Sequence, residues 1–204
     1  MPDDIPFVYW DSCVPLSYIN GIEERVQHID PLMRRSGETF QIVTSVITIT
    51  EVAFAKFEQD QKLLDQGIEV KIGKLWQPGA PIKLVEVYEL IALRARGLMR
   101  AALEKGWSLK PADALHLATA DQLKCKEFHT YDERLEKFAE LTDNKFPITP
   151  PISNEPHLPL APGATASVSD DKQVSEPAPV SGRDGSEQQV AKEEGEEGLA
   201  AKTE

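Results

Sequence analysis

The 204 residues carry 34 acidic and 22 basic side chains, a formal net charge of −12, and only two cysteines. Cys13 and Cys125 stand far apart without a CxxC or Cys/His pattern, which excludes a disulfide scaffold and a structural zinc site. No segment approaches the ~20 apolar residues that cross a bilayer, and the acidic start MPDDIPF lacks an apolar signal core, so a cytoplasmic protein without a membrane partner is expected.

Residues 7–10, Phe-Val-Tyr-Trp, read as a short strand, and residues 41–49 as a longer β-branched one. Between them, residues 15–35 read as helix, broken at Asn20-Gly21, with Asp30-Pro31 a second point for a bend. A helix is expected from Glu51 through residue 59, with Val52, Phe54, Ala55 and Phe57 packed on a sheet. Residues 67–74 alternate like a strand but lie between helix-like stretches, and their state stays open. Residues 82–87 read as a third strand and residues 88–105 as a long helix that Gly106 terminates. Pro111 opens another helix to about residue 123, with Leu115, Ala118 and Leu123 as a core stripe. Residues 126–131 form a fourth strand candidate, 133–141 a helix and 146–150 a short final strand. Strands separated by helices predict a three-layer α/β/α sandwich around a small, mostly parallel sheet.

No Phe, Tyr or Trp follows Phe146, and Pro, Ser, Ala, Gly and Glu dominate what remains. Such a mixture cannot bury enough apolar surface to offset chain entropy. The chain is therefore divided into a domain at 1–149 and a disordered acidic tail at 150–204. Residues 151–204 carry 11 acids and 4 bases, net −7 of the total −12. The acidity belongs mostly to the tail and says little about what the domain binds. Both cysteines lie among apolar neighbours and read as small buried hydrophobes.

Four acids stand at element ends. Asp11 closes the first strand, Glu51 follows the second, Asp113 opens the helix PADALHLATA, and Asp132 follows the fourth strand. Singly, each is explained as a turn former, a cap or a complement to a helix dipole. In a parallel sheet, however, ligands bind outside the carboxyl ends of the strands, where Asp11 and Asp132 fall. Carboxylates gathered there need a counter-charge, and a hard divalent cation is the usual one.

The segments VYWDSCVPLSYI, TSVITITEVAFA, LKPADALHLATA and FHTYDERL, in that order, resemble the PIN-domain ribonucleases, including the toxins of bacterial and archaeal toxin–antitoxin pairs. The resemblance covers about residues 5–149. It implies four carboxylates around one or two Mg²⁺ or Mn²⁺ ions and metal-dependent hydrolysis of RNA phosphodiester bonds. Asp11, Asp113 and Asp132 are then the direct ligands. Glu51 ligates through water or orients the attacking water. Ser12 and Thr130 are candidate donors that fix carboxylate orientation. His116, three residues after Asp113, is expected to support the site by packing or hydrogen bonding. A small antitoxin and a second copy of the chain are the protein partners implied.

Substrate grip is expected from Arg94, Arg96 and Arg100 on the long helix and from Lys105 and Lys110 before Asp113. Among the tryptophans, Trp10 reads as core, whereas Trp76 reads as exposed and able to stack on single-stranded or looped RNA, as does Trp107. A catalytically inactive PIN-like module that binds RNA or protein is the alternative. A haloacid-dehalogenase-like phosphatase needs a second Asp two residues after the first, and that position is Cys13.

Overall fold

A computed structural model describes residues 5–153, so the tail beyond residue 153 lies outside the described residues. Five strands form one sheet: β1 (Phe7–Trp10), β2 (Gln41–Ser45), β3 (Ile82–Val85), β4 (Glu127–His129) and β5 (Ile148–Thr149). Their order is β3-β2-β1-β4-β5, and every pairing is parallel. In register, Tyr9 lies between Val43 and Phe128, and Trp10 is opposite His129.

Side chains alternate across the sheet, so each strand feeds two cores. Val8, Trp10 and Ile42 face Val14 of α1 (Cys13–Ile19), Ile29 of α2 (Glu23–Arg35) and Ile72 of the α5 helix (Gln66–Leu75). Tyr9, Val43 and Phe128 face Leu98 of α6 (Glu89–Glu104), Leu117 of α7 (Pro111–Gln122) and Phe138 of a 3₁₀ helix (Glu133–Leu141). Tyr9 stacks on Phe128 at 5.1 Å, and Phe128 on Phe146 at 6.0 Å. Coverage of both faces is why the strands read as continuous apolar runs. The expected three-layer sandwich is the observed fold, with the sheet wholly parallel.

Local differences have identifiable causes. The second strand stops at Ser45, four residues early. There the Thr44 hydroxyl reaches the Trp10 carbonyl at 2.7 Å and the Thr48 hydroxyl at 2.7 Å, and the chain coils into the short α3 (Thr48–Glu51). These buried contacts override the β-propensity of Val46, Ile47 and Ile49. Glu51 thus ends a helix instead of beginning one, and the next helix, α4 (Lys56–Gln61), starts at Lys56. Residues 67–74 are helical within α5, whose Asp65 cap accepts from the Ile68 N–H at 2.9 Å and whose Ile72 and Leu75 are buried. Pro31 lies inside α2 without ending it, so the only break in residues 15–35 is at Asn20-Gly21, with Gly21 at φ +64. Gly106 terminates α6 at φ +73 as expected, and residues 133–141 wind as 3₁₀ rather than α. The first tail residues stay on the domain: Pro151 is buried, and the Ser153 N–H donates to His28 at 3.3 Å. Among the described residues no helix is long and apolar enough to cross a membrane.

Candidate active site

From β1 the chain steps outward to β2 and β3, then returns through α6 and α7 to place β4 on β1's other side. This reversal opens a crevice at the carboxyl ends of β1 and β4. Asp11 stands in it. Its N–H donates to the His129 carbonyl at 3.0 Å, extending the β1/β4 ladder by one residue. The residue is 6% exposed. Oδ1 accepts the Ser12 N–H at 2.7 Å, and Oδ2 accepts the Thr130 hydroxyl at 2.8 Å. Ser12 and Thr130 thus each hydrogen-bond one oxygen of the Asp11 carboxylate.

The same Thr130 oxygen accepts the Asp132 N–H at 3.0 Å, which makes one hydroxyl the hinge between two carboxylate-bearing loops. Asp132 caps the 3₁₀ helix by accepting the Arg134 N–H at 3.0 Å. Its carboxylate is forked by the Arg134 guanidinium at 2.8 and 2.5 Å. Those hydrogen bonds hold the Asp132 carboxyl below the ordinary carboxylate range. Asp113, half-buried in the first turn of α7, goes the other way. Burial raises it, and the charges of Asp11 and Asp132 raise it further against the opposing pull of His116 and Lys110. Three of the four acids thus share one electrostatic neighbourhood.

Glu51 joins through His116, which is fully buried in α7. His116 Nε2 lies 2.7 Å from Glu51 Oε2 and 3.6 Å from Asp11 Oδ1. Its Nδ1 lies 2.7 Å from the Tyr9 hydroxyl, which accepts the Ser45 N–H at 3.0 Å. A carboxylate can only accept, so Nε2 carries the proton that faces Glu51. Tyr9 and His116 thereby link the Ser45 N–H to Glu51 in one hydrogen-bonded chain. His116 is buried at the site and hydrogen-bonded to both Tyr9 and Glu51. The Tyr9 that holds it gave no sign in the sequence beyond being an apolar-run residue.

Cys13 was expected to be a plain core residue, but it borders the site. Its Sγ lies 3.3 Å from Asp11 Oδ2 and 3.2 Å from Thr130 Oγ1, and it accepts the Tyr131 N–H at 3.1 Å. Burial, with the Asp11 charge, pushes the thiol up to about 12. It is a weak donor there and not a nucleophile.

The basic side chains sort differently from the sequence expectation. Arg94 is bound to Asp121 at 2.9 and 2.6 Å and to Asp143 at 2.9 Å, in a staple that Asn144 completes on Asp121. Arg96 and Arg100 are exposed on α6, and neither lines the cavity at the carboxylates. That cavity, about 220 Å³, is walled by Asp113 and Asp132 together with Lys110, Arg134, Lys137 and Ser108. Of the basic residues singled out in the sequence only Lys110 lines this cavity, and Arg134 and Lys137 were not singled out there. Trp10 is fully buried, as expected, with its Nε1–H donating to His129 at 3.1 Å. Trp76 is partly buried against the α1/α2 core rather than exposed.

With this geometry in hand, comparison with known proteins is decisive. The family model described as the PIN domain matches residues 8–141. The chain belongs to the PIN-domain family. No curated protein matches the sequence. Among solved structures, this PIN domain is similar to VapBC2 from Rickettsia felis, described as bound to a DNA fragment from their promoter. The identity is 12% and the TM-score 0.52, covering 70% of this chain and 96% of that one. It is also similar to FitAB bound to an IR36 DNA fragment, at 19% identity and TM-score 0.51, covering 74% and 99%. At these identities the likeness is one of fold.

The side chains of this PIN domain fit a divalent cation in type and in charge. All four acids offer hard oxygens, and at Asp113 the charges of Asp11 and Asp132 add to the burial that raises its carboxyl. Among the described residues, no three His, Cys, Asp or Glu side chains are already drawn together around a common point. Asp132 instead faces Arg134, which supplies the local counter-charge.

Proposed function

We propose that this PIN domain is a metal-dependent endoribonuclease that hydrolyses RNA phosphodiester bonds, using Mg²⁺ or Mn²⁺. The observation that carries the reading is the electrostatic coupling of Asp11, Asp113 and Asp132 at the carboxyl edge of the sheet, with Glu51 tied in by His116. Proteins of this family are generally nucleases. Asp11, Asp113 and Asp132 would hold the ion, which, when bound, offsets phosphate charge and acidifies water. Thr130 and Ser12 hold Asp11 in one orientation. Glu51, anchored by its hydrogen bond to His116, keeps one carboxylate oxygen for the attacking water. Lys110 provides positive charge for the scissile phosphate at the mouth of the cavity. The fold likeness to VapBC2 and FitAB supports a toxin whose small antitoxin covers this edge.

One observation favours a second reading, an inactive RNA- or protein-binding module. Arg134 already neutralises Asp132 and could replace the ion for good. Labelled single-stranded RNA separates the two. Cleavage with Mg²⁺ or Mn²⁺ that stops with chelator, and that Asp113→Asn abolishes with the circular dichroism spectrum intact, supports the nuclease. Cleavage that persists in Asp113→Asn would sink it, and RNA binding without cleavage under every metal tested would establish the second reading.

A further inference from the structure

The 220 Å³ cavity at the carboxylates does not end there. Arg134 and Lys137 also line a neighbouring cavity of about 610 Å³, whose other walls are Trp107, Glu133, Glu136 and Glu140. The two therefore make one trough along the 3₁₀ helix. Its near end carries Lys110, Arg134 and Lys137, three cations against the two acids Asp113 and Asp132. Its far end adds Trp107 and the carboxylates of Glu133, Glu136 and Glu140 to the shared Arg134 and Lys137. Trp107 is held edge-on to Phe138 at 5.8 Å, and Phe138 also lines the near cavity, so the ring is fixed relative to the site. The Nζ atoms of Lys105 and Lys137 lie 5.3 and 5.4 Å from the Trp107 ring centre.

We propose that this trough is the binding track for the single-stranded RNA substrate, with a phosphate held by Lys110, Arg134 and Lys137 and the adjoining base stacked on Trp107. The proposal rests on the nuclease reading above and adds the substrate-gripping residues to it. Charge assigns the two ends. A phosphate is repelled from Glu133, Glu136 and Glu140 but attracted to the cationic end, whereas an uncharged base meets no such penalty. The exocyclic amino groups of cytosine or adenine would find carboxylate acceptors there. Trp107 is partly buried, and a lysine over its ring is held more weakly than a stacked base, so the base displaces it. Lys137 then turns to the phosphate, the second place its position on the shared wall allows. Arg134 is 72% exposed and free to leave Asp132 for the same anion.

The test is binding in chelator, where no cleavage occurs, so its failure is distinct from failure of the nuclease reading. Anisotropy of a labelled single-stranded oligoribonucleotide should show Lys137→Ala and Trp107→Leu each weakening binding by about fivefold or more. Lys137→Ala should also lower the slope of log affinity against log salt by about 0.7. Lys83→Ala, on the opposite edge of the sheet, is the charge control and should bind like wild type. Should Trp107→Leu fail to fold, photo-crosslinking of wild type to a 4-thiouridine oligonucleotide should yield a peptide containing Trp107. Unchanged affinity in both variants, equal loss in Lys83→Ala, crosslinks only elsewhere, or no binding by wild type would each overturn the proposal.

Discussion

The Thr130 hydroxyl donates to Asp11 across 2.8 Å while accepting the Asp132 N–H across 3.0 Å. One oxygen thus sets the relative placement of two candidate ligands from β1 and β4. Thr130→Val keeps the shape but removes both bonds. It should lower cleavage about tenfold or more and cost about 1–2 kcal/mol of stability, read by initial rates and urea unfolding. Thr130→Ser should recover most of the rate.

The chain from Ser45 through Tyr9 and His116 is buried and ends on the partly exposed Glu51. Tyr9→Phe retains the stacking on Phe128 but strands the Ser45 N–H and His116 Nδ1. We expect a loss of about 1–3 kcal/mol in thermal or urea unfolding. Catalysis should fall more than substrate binding, because Glu51 loses its fixed orientation.

Asp113 and Asp132 respond to pH in opposite directions. Burial and its acidic neighbours raise Asp113, so the folded state takes up its proton more readily than the unfolded state. The resulting stabilisation is complete below the unfolded carboxyl value of about 3.9 and is lost as pH rises through the folded one. Asp132, held low by Arg134, contributes stability above that value and loses it as pH falls through its folded value. The ionised form of Asp113 is therefore a strain on the fold. Asp113→Asn should raise the melting temperature, by about 2–4 °C for each kcal/mol relieved, while abolishing cleavage.

Magnesium or manganese supplies the same relief in the wild type. At a hundred times its dissociation constant, the ion should add about 2.7 kcal/mol of stability, and this increment should vanish in Asp113→Asn. Differential scanning calorimetry with and without chelator measures both.

Arg94 belongs to the frame rather than to the substrate surface. Arg94→Ala leaves Asp121 buried with its charge unpaired and should cost about 3 kcal/mol in urea unfolding, with RNA affinity in chelator unaltered.

Much of this was legible in the chain because a parallel sheet covered on both faces writes its strands as short apolar runs, and Phe7 to Trp10 is such a run. Pro111 and Gly106 marked helix ends for backbone reasons that hold almost anywhere. The boundary at Ser45 was not legible, since a Thr44–Thr48 hydroxyl contact leaves no periodic trace. The α5 segment stayed open for a related reason: Ile68, Val70 and Ile72 alternate, yet behind the Asp65 cap they are helical. Within the site, the acids announced themselves by position and by family pattern. Arg134 and Lys137 did not, because a basic residue beside an acidic one is ordinary surface chemistry until its cavity is seen.

The pairing of β1 with β4 has a consequence for how the domain comes into being. Asp11 is completed by a hydroxyl 119 residues further along. A chain emerging from the ribosome carries its first carboxylate early but has neither Thr130 nor Asp132 until β4 appears, and β1 until then lacks one of its two neighbours. Such distant pairing is slow to close. The carboxylates at this edge are therefore brought together only when synthesis of the domain is almost finished.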